Sequence, residues 1–329
     1  MSKNKEAEFY EKKENNNIKC KLCPHNCLIQ EGESGICRVR KNKEGTLYTK
    51  NYGEISSMGV DPIEKKPLYH FYPSKGILSI GTYGCNFKCL FCQNYTISQK
   101  DPPTTYHSSE EIIKQAKKSN TMGIAYTYSE PMVWYEYVYE TAVKAHEEGL
   151  KNVLVSNGYL NPKPLEKLTP YIDAANIDLK SFNNEFYKKL CGGTKEPVLD
   201  TINYLYGKTH LELTTLIITG HNDKLKELEE IFKWVKNLSP EIPLHLSRYF
   251  PNYKLDDPPT DLKKMEEAYQ LAKKYLNYVY LGNMRSDKGQ NTYCPNCHTE
   301  VITRQYFNTE NHLLDGNCPE CGKEILKNY

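Results

Sequence analysis

Three cysteines crowd the stretch CNFKCLFCQN at residues 85–94, with Cys85, Cys89 and Cys92 spaced by three residues and then two. Thiolates on a short loop suit a soft metal or an iron–sulfur cluster. Zinc would recruit a fourth Cys or His nearby, yet the nearest histidine, His107, lies fifteen residues past Cys92. A four-iron cluster held by three cysteines leaves one iron open to a substrate or cofactor. The competing readings are a zinc knuckle that borrows a distant ligand, and plain buried thiols.

The other cysteines form two quartets and one singleton. CPNC at 294–297 and CPEC at 318–321 are two knuckles twenty residues apart. Cys294, Cys297, Cys318 and Cys321 therefore read as a zinc ribbon, with a rubredoxin-like iron site as the alternative. Residues 284–329 carry five Lys/Arg against six Asp/Glu, which argues against phosphate binding there. Cys20, Cys23, Cys27 and Cys37 could hold zinc, the first choice, or a second, auxiliary Fe–S cluster, and His25 could replace one ligand. Cys191, in KLCGGTK, reads as a plain thiol.

The chain has 329 residues and a net charge of +2, from 43 basic and 41 acidic side chains. Charge gives no indication of a nucleic-acid partner. No apolar run approaches the roughly 20 residues that span a bilayer, and the polar N-terminus has no secretory h-region. A cytoplasmic, reducing setting follows, in which twelve cysteines serve as metal ligands rather than disulfides.

The elements that must position these groups alternate. Strands are expected at 76–82, 123–128, 152–157, 174–180, 210–218 and 242–248, with a seventh candidate at 277–282. Helices are expected at 108–119, 131–149, 162–171, 197–208, 222–237 and 260–275. Ser108 with Glu111, and Asn222, mark helix starts. Regular βα units imply parallel strands with helical crossovers. The expected fold class is α/β: a partial (β/α)6 TIM-like barrel over 76–283. A disordered tail (1–17), a Cys-rich knuckle and connector (18–75) and a zinc ribbon (284–329) flank it.

Side chains two apart on a strand share a face. Asn176, Asp178 and Lys180 oppose an aliphatic face, so they point into the lumen, as does His245 in LHLSR. Glu212 and Thr214 share a face. Polar groups at strand C-termini mark the catalytic end of such a barrel. The competing reading, strongest for Glu212, is a satisfied structural network.

The C-x3-C-x2-C motif, with Phe91 before its last cysteine, resembles the radical S-adenosylmethionine (SAM) superfamily. The resemblance implies that Cys85, Cys89 and Cys92 hold a [4Fe–4S] cluster whose fourth iron is chelated by S-adenosylmethionine. Reductive cleavage of that cofactor would give a 5′-deoxyadenosyl radical that abstracts hydrogen. YTYSEP (126–131) stands where the superfamily has Gly-Gly-Glu, which receives the methionine amino group. Here Tyr128 and Ser129 replace the glycines and Glu130 remains. Ser156 and Asn157, in VSNG, occupy a cofactor-contacting position. Asp178, Lys180 and His245 resemble catalytic positions of glycyl-radical activating enzymes, and LIITG (216–220) a place where adenine stacks.

Over nearly the whole chain, CKLCPHNCLIQEGESGICRVR, IDLKSF, LCGGT, ELTTLIITGHND, PLHLSRYFPNY and YVYLGNMR look like the radical SAM enzymes of the AmmeMemoRadiSam system, themselves similar to pyruvate formate-lyase activating enzyme. The resemblance implies a low-potential electron donor of the flavodoxin or ferredoxin type and the system's protein partners. The substrate would be carried on protein or RNA. A glycyl-radical activase is the alternative, though such enzymes insert their extra clusters between the first and second barrel units, whereas the extra cysteines here lie outside the barrel segment. A non-catalytic zinc adaptor is the alternative from another class.

Overall fold

In the computed structural model, residues 5–286, 288–305 and 308–327 are described. The centre is one eight-stranded sheet in sequential order. Its strands are β1 (Ser57–Pro62), β2 (Gly76–Gly81), β3 (Gly123–Tyr126), β4 (Lys151–Ser156), β5 (Ala174–Asp178), β6 (His210–Ile217), β7 (Leu244–Arg248) and β8 (Val279–Gly282). Strands β2 to β8 pair parallel, while β1 pairs antiparallel with β2. The expected parallel α/β sheet is present, including the seventh strand; β1 was read as connector.

Six helices cross between successive parallel strands: α1 (Ser109–Lys118), α2 (Tyr135–Glu147), α3 (Pro162–Leu168), α4 (Glu196–Leu205), α5 (Leu225–Leu238) and α6 (Leu262–Ala272). A capping box between Ser108 and Glu111 starts α1. Asn222 caps nothing: α5 begins three residues later, and the Asn222 side chain instead accepts from Ile218 N and donates to the Lys180 and Leu216 carbonyls. It ties the ends of β5 and β6 together. No helix among the described residues is long and apolar enough to cross a membrane.

Residues 5–17, read from sequence as part of a disordered tail, are folded. Lys5–Glu6 and Tyr10–Lys12 are strands, paired with Thr46–Thr49 and Ile18–Cys20; residues 1–4 lie outside the described residues. The charged run is the wet side of these short strands. Between them Ala7 is buried and Phe9 sets its ring edge-on against Tyr135 of α2 at 5.1 Å. A buried Arg40–Glu136 pair, 2.7 Å apart, anchors the module on α2. Asn161, past the end of β4, donates its backbone N–H to the Leu22 carbonyl and its side-chain amide to the Lys21 carbonyl.

The connector after β1 covers one end of the sheet. Tyr69 and His70 N–H groups donate to both oxygens of Glu212, at 3.0 and 2.7 Å. The C-terminal module packs nearby through Tyr278, Tyr280, Val301 and Ile302, and Arg304 lies over the Tyr69 ring at 4.3 Å.

Candidate metal and cofactor site

A cleft of ≈ 240 Å³ opens at the C-terminal ends of the parallel strands. Cys85, Cys89 and Cys92 line it from the loop after β2, with Tyr128, Ser129 and Glu130 after β3, Ser156 and Asn157 ending β4, and Asp178 and Lys180 ending β5. The structure thus brings together Cys85, Cys89 and Cys92 with every expected cofactor residue, and with two of the three expected catalytic ones.

The cysteine loop is backed rather than free. Phe87 N donates to Cys85 Sγ at 3.3 Å, and Cys92 Sγ meets Ser98 Oγ at 3.1 Å. Lys88 and Leu90 N–H groups donate to the carbonyls of Cys191 and Leu190. A Cβ on Gly193 would stand 2.4 Å from the Phe87 ring, so the Gly-Gly turn exists to let the loop approach. Cys191 is buried behind the loop, and its hydrogen bond holds the Cys89 thiol below its usual pKa. Burial pushes the Cys85 and Cys92 thiols up. A bound metal, which takes thiolates as ligands, would offset that cost of ionisation.

Glu130 is 2 % exposed, and three donors converge on it. Ser156 Oγ and Met132 N reach Oε1 at 2.8 and 3.0 Å, and Asn157 N reaches Oε2 at 2.9 Å. Burial nevertheless pushes its pKa up to about 7. Tyr128 takes φ +70°, a left-handed conformation open to glycine but strained for tyrosine. The glycine-like backbone therefore survives the loss of glycine. Tyr128 OH donates to Asp61 at 2.7 Å, and Lys66 lies over the ring at 4.6 Å, which holds the turn in place.

Lys180 Nζ donates to Asp178 at 2.8 Å. Burial alone would lower the lysine pKa; facing negative charge, on Asp178 first and then on the Cys89 sulfur, holds it well above the usual value. A fixed cation therefore stands beside the cysteine loop.

His245 is not in the cleft. Its Nε2 meets Glu212 Oε2 at 2.7 Å, and its ring packs on Tyr69 and Tyr280. Alternation assigned its face, and depth along β7 went wrong: the connector fills that level with Tyr69, and Ser247, two residues on, reaches the cleft. Glu212, fully buried, also accepts from His210 at 2.9 Å. Hydrogen bonds from His210 and His245 outweigh burial and hold it well below the usual carboxylate range. Ser247, Thr214 and Asn283 also line the cleft and were missed as site residues. Ser247 shares the His245 face of β7, so alternation carried from His245 toward the strand's C-terminal end would have found it.

The C-terminal quartet converges. Cys294 and Cys321 sulfurs lie 3.5 Å apart, as do those of Cys297 and Cys318, and all four lie within 4.8 Å of one another. Metal–sulfur bonds of about 2.3 Å at tetrahedral angles place sulfurs roughly 3.8 Å apart, so this group can hold one metal ion. Among the described residues no other group of three or more potential ligands converges so.

The Radical SAM superfamily model matches residues 79–235. A putative glycyl-radical enzyme activating enzyme of Methanocaldococcus jannaschii is 30% identical over 61% of this chain and 79% of that one. The chain belongs to the radical SAM superfamily. An uncharacterized protein of the same organism is 46% identical over 98% of both chains. In fold, the radical SAM chain resembles Streptococcus suis SuiB bound to S-adenosylmethionine, with a TM-score of 0.52, 14% identity, and coverage of 68% of this chain and 53% of that one. The protein is thus a radical SAM enzyme, and its family implies a [4Fe–4S] cluster and S-adenosylmethionine. The residues present fit both. Three thiols face a cleft, a buried cation stands beside them, and the cleft-lining Ser129 hydroxyl is buried with no partner of its own.

Proposed function

We propose that this enzyme generates a substrate radical by hydrogen abstraction, on a protein- or RNA-borne group, within a partial (β/α)6 barrel. The observation that carries the reading is the three-thiol loop facing Glu130, Ser156, Asn157, Asp178 and Lys180 across one cleft. Cys85, Cys89 and Cys92 would hold a [4Fe–4S] cluster, which would supply the electron for reductive cleavage of S-adenosylmethionine and so the hydrogen-abstracting power of the site.

The chain's own groups bind and orient. Glu130, once ionised, accepts hydrogen bonds from the cofactor's amino group with its remaining lone pairs, and its three donors fix the carboxylate plane. The Ser129 hydroxyl and the Asn157 amide offer further polar contacts. Lys180 offsets negative charge at the loop, and Asp178 keeps it in place. Phe87, Phe91 and Leu216 supply the apolar wall that limits water. His245, linked to Glu212 beneath the cleft, has a supporting role rather than a catalytic one.

The N- and C-terminal modules and the chain-long motifs favour an enzyme of the AmmeMemoRadiSam system, working in the cytoplasm with that system's proteins and a flavodoxin- or ferredoxin-type donor. The C-terminal quartet is a zinc ribbon in this reading. Glycyl-radical activation is the second reading, favoured by the relative named as a putative activating enzyme. Anaerobic protein with reconstituted iron, incubated with each candidate partner and S-adenosylmethionine, separates the two: a glycyl EPR doublet in the partner supports activation, and modification without it supports the first.

A further inference from the structure

Cys20, Cys23, Cys27 and Cys37 line one cavity together with Arg40 and Val133. Three of the four thiols are less than one-tenth exposed. They are gathered but, unlike the C-terminal quartet, they do not converge as a group of ligand atoms placed to hold one metal ion. His25 adds no ligand, because its ring nitrogen meets Asn86 O at 2.8 Å and it does not line the cavity. A zinc ion needs four sulfurs at roughly 3.8 Å separations. A four-iron cubane puts each sulfur on its own iron, so its ligands stand farther apart around an inorganic core.

A second observation lies in the same wall. Arg40 is 1 % exposed; its terminal nitrogens serve Glu136 and the Glu8 carbonyl, while its Nε has no partner. A buried donor of this kind is costly unless something accepts from it. A cluster with four thiolate ligands is anionic and offers sulfur acceptors.

We propose that Cys20, Cys23, Cys27 and Cys37 hold a second iron–sulfur cluster, of the closed four-iron, four-cysteine type, with Arg40 Nε donating to its sulfur. The site adjoins the open one. A Cβ on Gly84 would stand 2.9 Å from the Cys37 carbonyl, and His25 bonds to the carbonyl of Asn86, so residues on both sides of Cys85 touch the N-terminal module. The assignment replaces the zinc ion that the spacing first suggested.

Metal and sulfide analysis tests it on the anaerobically reconstituted full chain. Wild type should carry about eight irons and eight sulfides. The Cys85→Ala/Cys89→Ala/Cys92→Ala variant should stay brown with about four irons, and Cys20→Ser/Cys23→Ser should keep the other four. Wild type with about four irons and two zinc ions would overturn the proposal. So would a triple variant without iron, or about two irons at the quartet. A triple variant that keeps all the wild-type iron would instead fault the cysteine-loop reading and leave this one standing. Wild-type counts need no mutant to fold.

Discussion

Ser156, the last residue of β4, donates its hydroxyl to Glu130 Oε1 at 2.8 Å, across from the turn that ends β3. The bond favours the ionised carboxylate against burial, and that carboxylate is the group proposed to receive the cofactor's amino group. With the Glu130 pKa at about 7, S-adenosylmethionine binding to reconstituted enzyme should tighten as pH rises through 7. Below that point affinity should fall by about tenfold per pH unit. Calorimetric titration between pH 5.5 and 8.5 checks this. Glu130→Gln should bind more weakly and lose the pH step; a wild-type profile flat across the range contradicts the role.

Removing the Ser156 donor destabilises the charged form. Ser156→Ala should move the same binding profile upward by roughly one pH unit, from the loss of about 1 kcal/mol of hydrogen bonding to a charged group. An unshifted midpoint would remove Ser156 from this role.

Glu212 predicts a stability effect separate from chemistry. It accepts from two backbone N–H groups and two histidines while fully buried, so Glu212→Ala should cost about 3–5 kcal/mol, read from urea denaturation. His245→Asn should destabilise by about 1–3 kcal/mol yet leave 5′-deoxyadenosine release near wild type in the folded fraction. Loss of release from a well-folded His245→Asn protein would return His245 to the catalytic set.

The same cluster fixes an acid dependence. Burial lowers the His70 pKa to about 3, so the native state keeps it neutral where the unfolded chain protonates it. Its contribution is complete above the unfolded value near 6.5 and is lost as pH falls from there toward 3. The depressed Glu212 contributes in the same sense, above its unfolded value near 4.5. Denaturation midpoints should fall between pH 7 and 5, and less steeply in His70→Gln, which has no proton to gain. Equal slopes would contradict neutral burial of His70.

At Gly84, φ is +93° and an added Cβ would lie 2.6 Å from Val39 of the N-terminal module. Gly84→Ala should strain the turn by about 1–3 kcal/mol and loosen the module. Limited proteolysis should cut within residues 5–50 faster than in wild type, with far-UV circular dichroism of the sheet unchanged. An unchanged cleavage rate would show that the contact does not hold the module.

The parallel sheet was legible because each βα unit announces itself locally, by period, cap and turn. The cysteine loop was legible because spacing alone places three thiols together. Depth was not: His245 and Ser247 share a face of β7, and only the connector carrying Tyr69 decides which of them meets the cleft. The strand Ser57–Pro62 was missed because SMGVDP, with glycine and proline, carries no strand period. The N-terminal residues looked unstructured because their burial comes from partners far along the chain, Tyr135 and Glu136. The metal at Cys20, Cys23, Cys27 and Cys37 could not be read from spacing, since zinc and clusters share it; the proposal of a cluster rests instead on the gathered thiols and the unpaired Arg40 nitrogen.

The central claim is tested most directly by 5′-deoxyadenosine release from anaerobically reconstituted enzyme given dithionite and S-adenosylmethionine, followed by liquid chromatography and mass spectrometry. Wild type should release it, and the Cys85→Ala/Cys89→Ala/Cys92→Ala variant should not. No release from wild type with a full complement of iron would contradict the assignment.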